Sequence, residues 1–211
     1  MNITIWSDFV CPFCYIGEAH LNKALEELAL QDKVKVEYKS FLLNPEAEYR
    51  EGETYYDAFA REKNMSKEQT KVMMQRVIDM AHQAGLTLNY DIAKNANTLD
   101  AHRVFQYAKD EGKNAAYFER LYEAHFNEGA VMSDHATLKQ LAQEIGLATD
   151  KIADILNSEE NLDRVDQDIE QARYIGVQGV PFYVIDNKYA ISGAQPVDVF
   201  KEVLIKTDTE A

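Results

Sequence analysis

Residues 3–17 read Ile3-Thr4-Ile5-Trp6-Ser7-Asp8-Phe9-Val10-Cys11-Pro12-Phe13-Cys14-Tyr15-Ile16-Gly17. The run from Ile3 to Trp6 has the β-branched and aromatic character of a short buried strand, and the residues after Cys14 read as a helix. Between them stand the only two cysteines of the 211-residue chain. Two cysteines placed at random would fall three apart roughly once in a hundred chains of this length, so the spacing itself points to a redox pair.

Thiolate, not thiol, attacks a disulfide, and a catalytic cysteine is expected to have a stabilised thiolate and an exposed sulfur. Pro12 suits the first position of a helix, where its missing N–H would have had no partner anyway. Cys11 then falls at the helix cap, with unpaired backbone donors and the positive helix end directed at its sulfur. Cys11 is the expected nucleophile. Cys14 follows by almost one turn, beneath it and less exposed, and is the expected resolving thiol. Pro12 and Phe13 support the motif by tuning how firmly the thiolate is held.

Composition narrows the class. With 46% hydrophobic residues the chain can bury a substantial core without disulfide staples. A formal charge of −14 with no basic cluster argues against nucleic acid or an anionic membrane as the main partner. No apolar run reaches the length of a membrane span, and Met1 leads within two residues into the first strand, so no signal peptide is expected. The expected compartment is the cytosol, where such a pair stays reduced and acts catalytically. No metal is expected: zinc wants about four ligands, there is no second cysteine pair, and the five histidines are scattered.

The chain divides by pattern. Strand signals at 2–7, a helix over 12–30 and the alternating Val34-Lys-Val-Glu-Tyr-Lys form a β-α-β unit. Val180-Pro-Phe-Tyr-Val-Ile, a turn at Asp186-Asn187-Lys188, then Tyr189-Ala-Ile and a helix over 197–205 form a β-hairpin followed by a helix. Residues 43–174 read almost wholly as helix. Ser66 with Gln69 makes a capping box for a helix carrying Val72, Val77, Met80 and Ala81, with Gly85 as its stop. Ser133 is read as opening another helix, and Leu162, Val165, Ile169 and Ala172 mark an amphipathic one. Further helices are read over 99–109 and 114–126. Residues 46–53 and the tail beyond Lys206 are the expected mobile stretches. The domain reading is therefore 1–42 with 175–211 as one α/β domain and 43–174 as an inserted all-helical subdomain.

This element order resembles the thioredoxin fold as elaborated in the DsbA-like family: βαβ then ββα around a central mixed sheet, with a large helical insertion. It is similar in particular to the FrnE-like dithiol–disulfide isomerase branch, related to 2-hydroxychromene-2-carboxylate isomerases and kappa-class glutathione transferases. The resemblance is carried by residues 7–17, by Phe41-Leu42-Leu43-Asn44-Pro45, by Asn97-Thr98 with Ala101-His102-Arg103, and by Gly176-Val177-Gln178-Gly179-Val180-Pro181-Phe182. It implies that Pro181 is cis and faces the redox motif, leaving the Val180 backbone to pair with an extended substrate. It also implies that Asn97 and His102 line a substrate cleft, against the plainer reading that Asn97 or Thr98 caps a helix and His102 packs internally. In one respect the chain departs from thioredoxin itself: Ile5 stands where a buried acid is usual. Glu18, one turn past Cys14, is a candidate to take the Cys14 proton, weighed against an ordinary surface glutamate.

Three functions compete. A thiol–disulfide oxidoreductase or isomerase would act on protein substrates through Cys11 and Cys14, with no cofactor beyond the dithiol and with glutathione as a co-substrate. A glutathione-dependent isomerase or transferase is the alternative, although those relatives usually carry serine where this chain has Cys11. A non-catalytic adaptor or chaperone using the helical region is the third. The first is preferred, as a monomer or homodimer.

Overall fold

The computed structural model describes residues 1–210. Two units emerge, one formed by Met1–Leu43 with the chain from Asp168 onward, the other by Asn44–Gln167.

In the first unit, β1 (Asn2–Ser7), α1 (Pro12–Glu27) and β2 (Lys35–Ser40) make the β-α-β half. β3 (Phe182–Ile185), β4 (Tyr189–Ser192) and α9 (Val197–Thr209) make the hairpin and closing helix. The strand order is β2-β1-β3-β4, with β1 parallel to β2 and the other pairs antiparallel. The fold class is thus the expected thioredoxin-like mixed sheet. Asp186 and Asn187 both adopt positive φ, as a tight hairpin turn requires.

Register assigns the faces. Ile5 pairs with Tyr38 on β2 and with Tyr183 on β3, so these three side chains share the face that also buries Ile3 and Ile185. On the opposite face, Trp6 meets Phe182 edge to face at 6.4 Å. Trp6 Nε1 donates to the Asp168 carbonyl at 2.9 Å, and the Asp168 carboxylate accepts from Lys39 Nζ at 3.1 Å and from the Ser40 N–H at 3.0 Å. These bonds tie the end of α8 (Leu162–Tyr174) to the sheet. They explain why the boundary between units falls at Asp168 rather than at the expected 175.

The remaining helices belong to the second unit: α2 (Tyr55–Lys63), α3 (Lys67–Gln83), α4 (Leu99–Asp110), α5 (Asn114–Asn127), α6 (His135–Glu144) and α7 (Thr149–Leu156). Its core includes Phe105, Phe118, Tyr122 and Phe126, all fully buried, and Phe105 meets Phe118 edge to face at 4.9 Å. Burying each such ring contributes about 1.5–3 kcal/mol before entropy is counted. Arg103 is buried here too. Its Nε donates to the Glu160 carbonyl at 3.0 Å, Nη1 to Asp100 at 2.7 Å, and Nη2 to the carbonyls of Ile155 and Ser158.

Local expectations fare unevenly. The Ser66–Gln69 capping box forms with both its bonds. α1 stops before 30 because Ala29 turns to φ 53°, and α6 is capped by Asp134 rather than Ser133. On α3 the buried stripe is Thr70, Met74, Val77 and Ala81. Val72 and Met80 are 58% and 41% exposed, so apolar character alone misassigned them. α9 continues past Lys206 to Thr209, so most of the expected tail is helical. His20 on α1 has Nδ1 at 2.8 Å from the Gln195 carbonyl.

Candidate active site

The N-terminus of α1 and the turn into β3 bring the redox-motif residues of the first unit and Val180–Pro181 together. Cys11 caps α1 with extended backbone, φ −89° and ψ 109°, and Pro12 occupies the first turn. The cap closes on the sulfur: the Cys14 N–H donates to Cys11 Sγ at 3.3 Å. The Cys11 thiol in turn approaches the Val180 carbonyl at 3.6 Å, within reach of the weak hydrogen bond a thiol makes. Val180–Pro181 is a cis peptide bond, and the Pro181 carbonyl accepts from the Gly193 N–H at 2.8 Å. Pro181 thus directly follows the residue whose carbonyl Cys11 Sγ approaches.

Both cysteines are in the thiol form, and both are buried, Cys11 at 2% and Cys14 at 1% exposure. The expected exposed sulfur on Cys11 is therefore corrected: its sulfur is folded back onto its own cap and the Val180 carbonyl. Phe13 is the member of the motif that faces outward.

The two thiols differ in what surrounds them. Burial pushes the Cys14 thiol well above the ordinary cysteine range, reinforced by its hydrogen bond with Cys11 and the Cys11 charge, and offset in part by Ser7 and the Asp8 backbone. Cys14 is a protonated reserve, which is what a resolving thiol needs to be until a mixed disulfide forms. Next to it along α1 come Gly17 and Glu18, at three and four residues and so on the same helix face. Tyr38 donates to Glu18 Oε1. Glu18 is therefore half-buried and engaged by a phenol, not the free surface carboxylate of the plainer reading.

Asn97 and His102 lie in the helical unit. The Asn97 side chain donates to the Pro45 carbonyl and accepts from the N–H of Leu99, the first residue of α4, at 2.7 Å, so the segments 41–45 and 97–103 meet. His102 is fully buried, edge to face with Phe105 at 6.4 Å. It offers no surface to a ligand, which corrects its assignment to a cleft. Each side chain is used in building its unit.

Tyr38 and Tyr183 were not singled out from the sequence. The alternation within Val34-Lys-Val-Glu-Tyr-Lys and Val180-Pro-Phe-Tyr-Val-Ile places both inward. An inward tyrosine flags a hydroxyl that must find a use.

Among the described residues no helix is long and apolar enough to cross a membrane. A family model described as a DSBA-like thioredoxin domain matches residues 2–205. The crystal structure of a probable DsbA oxidoreductase from Streptomyces coelicolor superposes with a TM-score of 0.91 at 32% identity, covering 100% of this chain and 91% of that one. The uncharacterized protein YwbO of Bacillus subtilis is 28% identical over 206 residues, 97% of this chain and 96% of its own. The cytosolic disulfide reductase DsbM from Pseudomonas aeruginosa, solved with GSH, shares the fold with a TM-score of 0.70 at 16% identity, each chain covered in full at 100%.

Proposed function

This chain belongs to the DsbA-like thioredoxin domain family, and on that footing we propose that it is a dithiol–disulfide oxidoreductase or isomerase acting on protein substrates in the cytosol. Cys11 attacks the substrate disulfide, one substrate sulfur leaves as thiolate, and a mixed disulfide remains on Cys11. Cys14 then attacks Cys11 Sγ, the second substrate thiolate departs, and the Cys11–Cys14 disulfide closes. Run backward, the same steps oxidise a substrate dithiol. Glutathione is the proposed co-substrate that resets the pair; DsbM, which shares the fold, is a disulfide reductase solved with GSH.

The observation that carries the reading is the approach of Cys11 Sγ to the Val180 carbonyl at 3.6 Å, beside the cis peptide and over a buried Cys14 thiol. A substrate strand paired to the Val180 backbone would present its sulfur at Cys11, because main-chain bonds fix the depth and direction of an extended peptide.

The deciding experiment is an equilibrium titration in glutathione buffers with Cys11→Ser and Cys14→Ser as controls. A reversible two-electron transition that both variants lose supports the reading, and its midpoint against the cytosolic poise sets the direction of flow. Tight glutathione binding without any such transition would overturn it in favour of a glutathione-dependent isomerase or transferase.

A further inference from the structure

Resolution of a mixed disulfide needs the Cys14 proton to leave a site that burial makes hostile to the resulting charge. On β1 the position where thioredoxin carries a buried acid is held by Ile5, which can neither take a proton nor donate a hydrogen bond. Its neighbours on either side are Tyr38 and Tyr183. The row Tyr38–Ile5–Tyr183 therefore crosses the sheet on the face that α1 covers, with a phenol on each flank of an inert centre.

The two phenols are in different states. Tyr38 is committed to Glu18. Tyr183 is 1% exposed, and its hydroxyl meets no hydrogen-bond partner among the described residues. Its position is narrowly defined. A methyl group on Gly17 would collide with that hydroxyl, and would also crowd Pro181 Cγ at 3.1 Å. The ring is held edge to face against Phe200 of α9 at 5.0 Å, with an interplanar angle of 84°. Burial pushes the phenol well above its ordinary range, and Cys14, Glu18 and Cys11, which face the hydroxyl, add to the shift when they are ionised.

An idle buried hydroxyl is unfavourable, and here it lies against Gly17, three residues along α1 from a thiol that must become an anion. We infer that Tyr183 is the positioning residue of the resolving step, turning its hydroxyl hydrogen toward Cys14 Sγ as that sulfur ionises. The inference rests on the dithiol function proposed above. In the step, the Cys14 proton passes to the Glu18 carboxylate, the Cys14 Sγ–Cys11 Sγ bond forms, and the Cys11–substrate bond breaks. The substrate sulfur leaves with the electron pair. Tyr183 transfers no proton. Its role is to donate one hydrogen bond to the thiolate, which the reduced protein lacks and the transition state gains.

The test separates the two thiols in time. Reduced full-length protein treated with dithiobis-nitrobenzoate releases one coloured thiolate when Cys11 attacks and a second when Cys14 displaces it. Tyr183→Phe is expected to leave the first phase unchanged and slow the second about tenfold, the size of a lost hydrogen bond to a charged group. The pH midpoint of the second phase should move upward, since an unsupported thiolate needs a higher pH. Thermal stability should hold or rise, because the deleted hydroxyl had no partner. A second phase with unchanged rate and pH profile overturns the inference while leaving the proposed function intact. Absence of a first phase in the unaltered protein overturns both. Should Tyr183→Phe not fold, ring-carbon NMR of Tyr183 in the unaltered protein reads the same bond: a shift that titrates with Cys14 supports it, and a shift that ignores that titration overturns it.

Discussion

Arg103 in the helical unit and Cys14 in the thioredoxin-like unit are both buried groups able to carry charge, and the fold treats them in opposite ways. Arg103, permanently cationic, is supplied with the Asp100 carboxylate and the carbonyls of Ile155, Ser158 and Glu160. Those carbonyls sit at and just beyond the end of α7, where a helix leaves acceptors unpaired, so one guanidinium closes that end and links it to α4. Cys14 receives no comparable support, and burial keeps it protonated. A charge that is compensated builds a scaffold, whereas one that is withheld stores a reactive state.

The sharpest way to break this contrast is at Cys11. Cys11→Ala should reduce disulfide exchange to the uncatalysed background and lower stability by only about 1 kcal/mol, the size of a lost helix cap, because the buried sulfur also accepts from the Cys14 N–H. Insulin-type reductase turnover alongside a urea melt reads both. Cys14→Ser should instead trap the mixed disulfide on Cys11, visible by mass spectrometry.

Arg103→Met tests the scaffold side. It leaves the α7-end carbonyls without their donor and should cost about 3 kcal/mol, read as a lower urea midpoint. Folded protein should still give a normal first thiolate-release phase; a loss of that phase would show that the helical unit governs the chemistry.

Next in size is a pH effect on the reduced protein. Folding raises the Cys14 pKa, so the folded state binds the proton more tightly than the unfolded chain does. Its stabilising contribution is complete below the unfolded thiol value near about 8.5 and is lost as pH rises through the folded value. Stability should fall by at most about 1.4 kcal/mol per pH unit in that range. Cys14→Ala should flatten the decline, measured by denaturant melts across alkaline pH.

The smallest effect belongs to Ser66→Ala, which removes the side-chain half of the α3 capping box. It should cost about 1 kcal/mol and leave both thiolate-release phases untouched.

How much could be read in advance follows from how far apart the cooperating residues are. The strand–Cys-X-X-Cys–helix stretch, the capping box at Ser66 and the hairpin turn at Asp186-Asn187 are each built within a few residues. Their caps and turn φ values depend on local chemistry, and they came out as expected. Val72 and Met80 turned outward because hydropathy says that a side chain can be buried without saying which face its helix turns inward, whereas His102 packs internally, as the plainer reading of it had it.

The sequence by itself determined the order of elements and the family, and placed the Cys11–Cys14 pair at the start of a helix, because helix capping and three-residue spacing are local properties. Only the tertiary structure decided that Cys11 is folded under the Val180 carbonyl, that Asp168 rather than residue 175 begins the return to the sheet, and that Tyr38 and Tyr183 flank Ile5. Those relations join residues more than 30 positions apart. Strand register and helix packing bring them together, and no short window of sequence contains both partners.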